Sequence, residues 1–335
     1  MKKLTIILLL KDRHEFNERF IHFFLNCRYD FNLIISDGSK KKINLKLLKK
    51  IKNFKHIKYI KFQPDLSYKI YFQKIIKTLK MTKTEFVLFA ANDDFFIYKT
   101  VNKAFQYLLN NKKFIGAGGK WYDFKISNRG DKPKLQDIKL LYKHIDLTSK
   151  NSLIRTKKFF ENFNDLPRNL ILKKKVFLNA YKLANKYFEN NIELKDHFVA
   201  LYVVISGRIK IFNQPILFHQ SHFASEGNKR TSLAKTLISD KTYVDKLILF
   251  DRLISKKLRI NRNFILKNYY NHILINAIDE ISKMKELSFK DISKLIVKKI
   301  KRKIEITNIN HKKNNDKNFK KDIKNIENFL NSKYA

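Results

Sequence analysis

Glycine, proline and cysteine are all scarce in this 335-residue chain. It contains seven glycines, four prolines and one cysteine, Cys27, whereas proteins on average contain about 7% glycine and about 5% proline. A single cysteine excludes an intramolecular disulfide and any metal site built from several cysteines. Because 44% of the residues are hydrophobic, with 29 Phe and 15 Tyr, the composition predicts a globular protein with a sizeable core.

Acidic residues are also scarce. The chain has 72 Lys and Arg but only 30 Asp and Glu, which gives a formal net charge of +42. This excess would suit nucleic acid or an anionic membrane. The lysines are spread over the whole length, so we expect most of them to form a solvated surface and do not expect nucleic acid as the partner. A basic module that holds single-stranded nucleic acid between lysines and aromatic rings remains an alternative. Against it, aromatic residues such as Phe16, Phe20 and Phe23 have the spacing of a buried helix face.

Long hydrophobic runs are missing. No stretch approaches the roughly 20 apolar residues of a membrane-spanning helix. The segment Leu4–Leu10 follows two lysines like the start of a signal peptide, but it is short and stops at Lys11-Asp12-Arg13 without a small-residue cleavage site. We therefore interpret it as a buried strand and expect a cytoplasmic protein, whose membrane contact would be peripheral, on the inner face.

The first 120 residues alternate between strand and helix patterns. Strands are predicted at 5–10, 31–36, 57–62, 85–90 and 113–116, and helices at 13–27, 68–79 and 98–110. Such alternation predicts an α/β doubly wound sheet with its sites beyond the carboxyl ends of the strands. Three polar clusters follow predicted strands: Lys11-Asp12-Arg13, Asp37-Gly38-Ser39 and Asn92-Asp93-Asp94.

The later sequence predicts more helix than strand. Helices are expected at 176–189 and 194–205, the latter ended by Gly207, and short strands at 208–212 and 216–218. Four of the seven glycines fall between 116 and 169, which suggests a surface for a second substrate. Beyond about Ser232 the pattern is helical, and Leu287 to Ile304 forms a basic amphipathic segment expected to contact an anionic membrane surface.

The carboxylates Asp93 and Asp94 directly follow a predicted buried strand. Oxygen ligands suit Mg²⁺ or Mn²⁺, which proteins usually hold with one or two carboxylates and the phosphates of a substrate. A metal bound there would bridge a diphosphate and stabilise the charge on a leaving group. An Asn-Asp-Asp turn can also simply end a strand and cap the next helix.

Other charged residues fit a nucleotide site at the same edge of the sheet. Asp37 ends the second strand, where a carboxylate can accept hydrogen bonds from a ribose or a base, although Asp-Gly is also a common turn. Lys11 and Arg13 end the first strand and could approach the nucleotide, or Arg13 could form a surface ion pair. Arg230 could clamp a diphosphate.

A resemblance is carried by four segments in order: LTIILLLKDR, LIISDGS, YKIYFQKIIKTL and EFVLFAANDDFF. They resemble the family 2 glycosyltransferases of the GT-A fold, in particular a bacterial subgroup with an Asp-Asp-Asp-Phe-like motif. The match covers residues 1–120. Asn92-Asp93-Asp94 occupies the family's metal motif, with Asn92 in place of the usual aspartate, so the resemblance implies that Asp94 and Asp93 hold the metal.

The same resemblance implies a GT-A-like doubly wound mixed sheet followed by helices. It assigns residues 1–231 to a glycosyltransferase domain, 232–310 to a basic helical region and 311–335 to a lysine- and asparagine-rich tail, partly disordered. The implied activity is a metal-assisted, inverting hexosyltransferase that uses a nucleotide-sugar, with UDP favoured. Its acceptor would be a glycan or a lipid-linked glycan in surface polysaccharide synthesis.

A catalytic base is implied as well. In the family, an aspartate in a Glu-Asp pair lies at a helix N-terminus about a dozen residues before a glycine. Asp196 lies eleven residues before Gly207 and resembles this base, with Lys195 in place of the glutamate. Glu193 is the alternative candidate for the catalytic base. Such a carboxylate takes the proton of the acceptor hydroxyl, although an acidic residue at a helix start also has a structural use.

His219 and His222 follow a predicted strand where relatives place a histidine ligand or a phosphate contact. We assign His219 to the metal site, although an isolated histidine is more often structural. A nucleotidyltransferase is a further alternative. It would carry a glycine-rich loop after its first strand, whereas this chain has KDRHEF there and no glycine before Gly38.

Overall fold

The structure is a computed structural model that describes residues 4–27, 30–127, 133–141, 145–161, 169–189, 191–222, 242–260, 268–269 and 316–333. Its strands are β1 (Leu4–Leu10), β2 (Asn32–Asp37), β3 (Ile57–Lys61), β4 (Phe86–Ala90), β5 (Asp94–Phe96), β6 (Phe114–Ser127), β7 (Lys134–Leu140), β8 (Ile171–Lys173) and β9 (Arg208–Gln220). Its helices are α1 (His14–Asn26), α2 (Leu45–Lys52), α3 (Tyr68–Met81), α4 (Tyr98–Asn110), α5 (Ser152–Glu161), α6 (Lys174–Tyr187), α7 (Ile192–Ser206), α8 (Tyr243–Leu258) and α9 (Lys317–Lys333).

These strands form one mixed sheet in the order β3-β2-β1-β4-β8-β6-β9-β5, with β7 paired to β6. Strands β1 to β4, β6 and β9 run in the same direction, and β5, β7 and β8 run against them. Parallel strands with helices on both faces are the pattern that the strand-helix alternation predicted. The predicted fold class, a doubly wound mixed α/β sheet, is confirmed.

Helices cover both faces because successive side chains of a strand point to opposite sides. In β1, Leu4, Ile6 and Leu8 pack into a core shared with α1, α2, α4 and α9. Ile7 packs into a second core shared with α3 and α5 to α8. A strand buried on both faces must be apolar throughout, which explains the uninterrupted run at the start of the chain.

The strands β6 and β9 are longer than the sequence predicted. The strand expected at 113–116 continues to Ser127, and the two short strands expected at 208–212 and 216–218 are one strand. A Cβ on Gly119 would overlap the Gln214 carbonyl of β9. The glycines at the start of β6 therefore permit close approach of neighbouring strands, and this part of the chain lies inside the sheet.

Two C-terminal helices pack on opposite cores. Buried residues of α8, including Tyr243 and Phe250, join the core on the α7 side. Helix α9 lies in the segment predicted to be partly disordered, but its apolar residues at 319, 326, 329 and 330 are buried against the other core. This spacing places the four residues on one face of the helix. The segment Leu287 to Ile304 lies outside the described residues, and the three-part division of the chain stays a prediction.

The rings of α9 contact the strands β5, β6 and β9. Phe319 lies 4.7 Å from Tyr122 and 5.6 Å from Phe218, measured between ring centroids. Phe329 lies 6.3 Å from Phe95. Among the described residues, no helix is long and apolar enough to cross a membrane.

Replacing Phe319 by alanine should lower the free energy of unfolding by about 3 kcal/mol, because it leaves a cavity between α9 and the sheet. Lys321→Ala in the same helix is the matched control, since Lys321 is exposed and its loss should change stability by less than about 0.5 kcal/mol. Urea denaturation of both variants measures the difference. Equal effects would show that α9 does not pack as described.

Candidate active site

A row of three polar residues crosses the strands β5, β9 and β6. Asp94 is paired with His219, and His219 is paired with Asp123 on its other side. Residues directly opposite each other on neighbouring strands point to the same face of a sheet. The register therefore brings two carboxylates and an imidazole side by side, from positions far apart in the sequence.

The adjacent row of paired residues points to the opposite face of the sheet and packs against a helix. It consists of Phe95, Phe218 and Tyr122, in the same strand order. Phe319 and Phe329 of α9 pack on this row. Helix α9 thus covers the back of the strands that carry the polar row.

Asp94 and His219 are linked directly. His219 Nδ1 donates a hydrogen bond to Asp94 Oδ1 at 2.9 Å, and Asp94 Oδ2 accepts one from the backbone N–H of Ala91 at 2.9 Å. Burial raises the pKa of Asp94. Burial alone would lower the pKa of His219, but its hydrogen bond to Asp94 and the nearby carboxylates raise it to about 9. His219 is consequently protonated at neutral pH in the absence of a bound cation.

Asp93 lies next to this pair and is surrounded by basic groups. Its Oδ2 accepts hydrogen bonds from Arg13 at 2.8 Å and from His222 Nε2 at 2.9 Å. Burial opposes ionisation, but the hydrogen bond from His222 and the charges of His219 and Arg13 hold the pKa of Asp93 well below its usual range. Asp93 is therefore an ionised carboxylate at neutral pH. The ring of Phe16 stacks on His222, with 4.5 Å between the ring centroids.

Asp93, Asp94 and His219 could hold a metal ion. Each offers one ligand atom, and these atoms lie within 4.8 Å of one another. Asp93 Oδ1 is buried and has no hydrogen-bond partner among the described residues, which is costly unless another group binds it. Two carboxylates and an imidazole are donors suited to Mn²⁺ and related divalent ions. The residues present fit the metal that the sequence implies.

Asp37 ends β2 at the same edge of the sheet and is fully buried. Its oxygens accept hydrogen bonds from the backbone N–H of Ser39 at 2.8 Å and from the hydroxyl of Tyr59 at 2.5 Å. Lys61 Nζ lies 3.9 Å from Asp37 Oδ2. In this structure the carboxylate is part of a polar network within the protein.

A buried ion pair of Asp65 and Lys74 lies beside this network. Lys74 also donates to the carbonyl of Leu10 at 2.8 Å, at the end of β1. Burial raises the pKa of Asp65 and lowers that of Lys74. A Cβ on Gly38 would overlap the Asp65 carboxylate, so the glycine lets the loop after β2 lie against this pair.

The other residues predicted to bind the nucleotide are spread along the same edge. Arg13 and the preceding Asp12 adopt left-handed backbone conformations after β1, and the charge of Lys11 acts on Asp65. Asn92 is buried and donates from Nδ2 to Asn17 of α1 at 2.6 Å. Arg230 lies outside the described residues, so its role stays a prediction.

The predicted bases lie at the start of α7. Asn191 caps this helix by accepting a hydrogen bond from the backbone N–H of Leu194 at 2.9 Å. Glu193 is in the first turn and is partly exposed, whereas Asp196 is only 3% exposed. Gly207 ends the helix with an extended backbone (φ 172°) instead of the left-handed conformation expected of a helix-ending glycine. The assignment of either residue as a base stays a prediction.

Sequence reasoning missed Asp123, Ser221, Asp65 and Lys74. Ser221 donates its hydroxyl to Asp123 at 2.6 Å, and Lys139 lies 3.8 Å from the same carboxylate. Asp123 lies in a strand that was expected to end at Gly116, so no local signal placed it near His219. The apolar-polar alternation from Tyr122 to Ser127 could have indicated a strand in this segment.

Replacing Arg13 by glutamine should lower the free energy of unfolding by about 2 kcal/mol, because it removes a hydrogen bond to a buried charge. The loss should be much smaller when Asp93 is already asparagine, since no charge is then left without compensation. A double-mutant cycle in urea measures this coupling. A loss that is the same in both backgrounds would show that Arg13 does not stabilise the Asp93 carboxylate.

Comparison with known proteins gives structural likeness alone. No protein-family model and no curated protein matches the chain. The structure of S. aureus TarS is 13% identical with a TM-score of 0.49, covering 83% of this chain and 43% of that chain. The structure of S. aureus TarS 1–349 in complex with UDP-GlcNAc is also 13% identical with a TM-score of 0.49, covering 77% of this chain and 72% of that chain. This chain thus spans less than half of the first of these proteins, and similarity at this level identifies neither a substrate nor an activity.

Proposed function

We propose that the chain is a glycosyltransferase that moves a sugar from a nucleotide-diphosphate donor, with a UDP-sugar favoured, to a glycan or lipid-linked acceptor. The observation that carries the proposal is the cluster of Asp93, Asp94 and His219 at the carboxyl edge of the sheet. In doubly wound folds this edge is where nucleotides bind. The product proposed from the sequence resemblance is a surface polysaccharide.

In this proposal Asp93, Asp94 and His219 hold Mn²⁺ or Mg²⁺. Such a metal would stabilise the negative charge that develops on the leaving nucleotide. His219 must lose its proton to become a ligand, so metal binding and proton release are linked. Arg13 and His222 keep Asp93 ionised and fix its orientation, which prepares the site for a cation.

The remaining charged residues are proposed to hold the nucleotide. Asp37 lies at the end of β2, on the side of the sheet edge away from β5, and we assign it to the nucleoside. Lys11, Arg13 and Arg230 are assigned to the diphosphate by their charge. Asn92 supports this arrangement through its hydrogen bond to α1.

Asp196 is proposed as the base of an inverting transfer, with Glu193 as its rival. It would take the proton of the acceptor hydroxyl as that oxygen attacks the anomeric carbon. Glu193 lies in the first turn of α7, where the helix dipole stabilises a carboxylate, and Asp196 follows in the next turn.

Thermal unfolding with UDP, GDP and CDP, each with and without Mn²⁺, tests the donor site. One nucleotide, expected to be UDP, should raise the Tm by several degrees only when Mn²⁺ is present, because a ligand that binds the native state stabilises it by about 2.7 kcal/mol at about 100 times its Kd. Asp94→Asn should abolish the metal-dependent shift.

Asp137→Asn is the matched control, because Asp137 is an exposed aspartate that pairs with Lys125 at the surface. It should keep the full shift. If no nucleotide stabilises the protein with or without Mn²⁺, and single-stranded nucleic acid binds in a salt-sensitive way, the proposal is wrong and the basic binding module is favoured.

Asp196→Asn should lower the rate of sugar transfer by about 100-fold or more, the usual effect of removing a general base, and should leave the nucleotide-dependent Tm shift unchanged. Glu193→Gln should have a much smaller effect. Release of the nucleotide product, measured with the acceptor present, distinguishes the two. A larger loss in Glu193→Gln would assign the base to Glu193.

A further inference from the structure

A dense lysine surface lies on the segment that connects β2 to β3. Ten of the 22 residues from 40 to 61 are lysine and none is acidic. Nine of these lysines are exposed. We call them the α2 lysine surface: Lys40, Lys41, Lys42, Lys46, Lys49, Lys50, Lys52, Lys55 and Lys58.

This surface carries charge that the protein does not compensate. Within the described part of the chain, none of its nine lysines forms an ion pair, whereas Lys61 at the end of the segment lies beside Asp37. Helix α2 keeps Leu47 and Ile51 buried against the core, and its lysines occupy the remaining faces. The strand β3 that follows is at one end of the sheet. The nine lysines therefore lie together at the β3 end of the sheet.

Two exposed leucines accompany the lysines. Leu45 is 71% exposed and Leu66 is 72% exposed, the highest values among large hydrophobic residues in the described chain. Leu45 starts α2 after the loop that leaves β2, and Leu66 lies in the loop that leaves β3. The two loops are joined by a hydrogen bond from the Asp65 N–H to the Gly38 carbonyl at 2.8 Å. Both leucines therefore lie at the carboxyl edge of the sheet.

We propose that the α2 lysine surface, with Leu45 and Leu66, docks on an anionic phospholipid membrane. Lysines near a negatively charged bilayer gain electrostatic free energy, and apolar side chains beside them insert at the boundary of headgroups and acyl chains. The exposed leucines distinguish a membrane from a polyanion such as nucleic acid, which would be held by the lysines alone. Charge and exposed apolar area occur together on this surface.

Docking in this way would orient the candidate active site. The leucines lie at the same carboxyl edge of the sheet as Asp93, Asp94 and His219, so inserting the leucines would bring this edge to the bilayer. For this consequence alone, the inference rests on the proposed glycosyltransferase function, because a lipid-linked acceptor would then meet the donor at the membrane surface.

Sedimentation of the full chain with phosphatidylcholine vesicles, with and without phosphatidylglycerol, tests the inference. The protein should bind the anionic vesicles and not the neutral ones. The triple variant K41Q/K42Q/K46Q should lose about fivefold in partition coefficient for each lysine removed. The double variant L45S/L66S, which keeps every charge, should lose about tenfold.

The matched control is K112Q/K113Q/K175Q. These lysines are exposed and lie at the opposite edge of the sheet, next to the starts of β6 and α6. The control should bind as the unsubstituted chain does. The inference is overturned if the unsubstituted chain does not bind anionic vesicles, if the control loses as much as the lysine variant, or if the leucine variant binds normally. Nucleotide-dependent Tm shifts of the same variants report separately on the proposed function.

Discussion

The hydrogen bond between His219 and Asp94 joins segments of the chain that are 125 residues apart. It depends on the three-residue strand β5, which pairs antiparallel with the end of β9. A strand this short is not stable alone, and its position is supported by Phe95, which packs against Phe23 of α1 and Phe329 of α9. Packing of α1 and α9 on one face of the sheet therefore helps to hold Asp94 in position on the other face.

The chain is strongly basic, yet the candidate site is a place where acidic groups are concentrated and buried. Taking adjacent carboxylates out of water costs several kcal/mol per ion unless partners compensate. Here Arg13, His219 and His222 converge on Asp93 and Asp94, and still Asp93 Oδ1 lacks a hydrogen bond among the described residues. A divalent cation would supply the missing interaction. A buried carboxylate oxygen without a hydrogen bond among the described residues therefore favours a bound cation at this position.

Local pattern predicted much of the fold, and pattern and family resemblance together named Asp93, Asp94 and His219, which the structure brings together. The neighbouring Asp123 was not predicted. The helix Tyr98–Asn110 and the strands of the first half follow from hydrophobic periodicity, since each is long enough to show its period. The strand β5 has three residues and shows none. Asp123 approaches His219 only through the register of β6 on β9, which is a non-local property. The packing of α9 was hidden by a composition rich in lysine and asparagine, although Phe319 and Phe329 carry its buried face.

Pulsed electron paramagnetic resonance of Mn²⁺ bound to the protein with UDP tests the central claim most directly, because it identifies the nuclei that touch the metal. The account predicts a phosphorus coupling from the diphosphate and a nitrogen coupling that disappears in His219→Gln. Two results would contradict the assignment of Asp93, Asp94 and His219 as the metal site. One is a nitrogen coupling that is the same in the unsubstituted protein and in His219→Gln, and the other is the absence of protein-bound Mn²⁺.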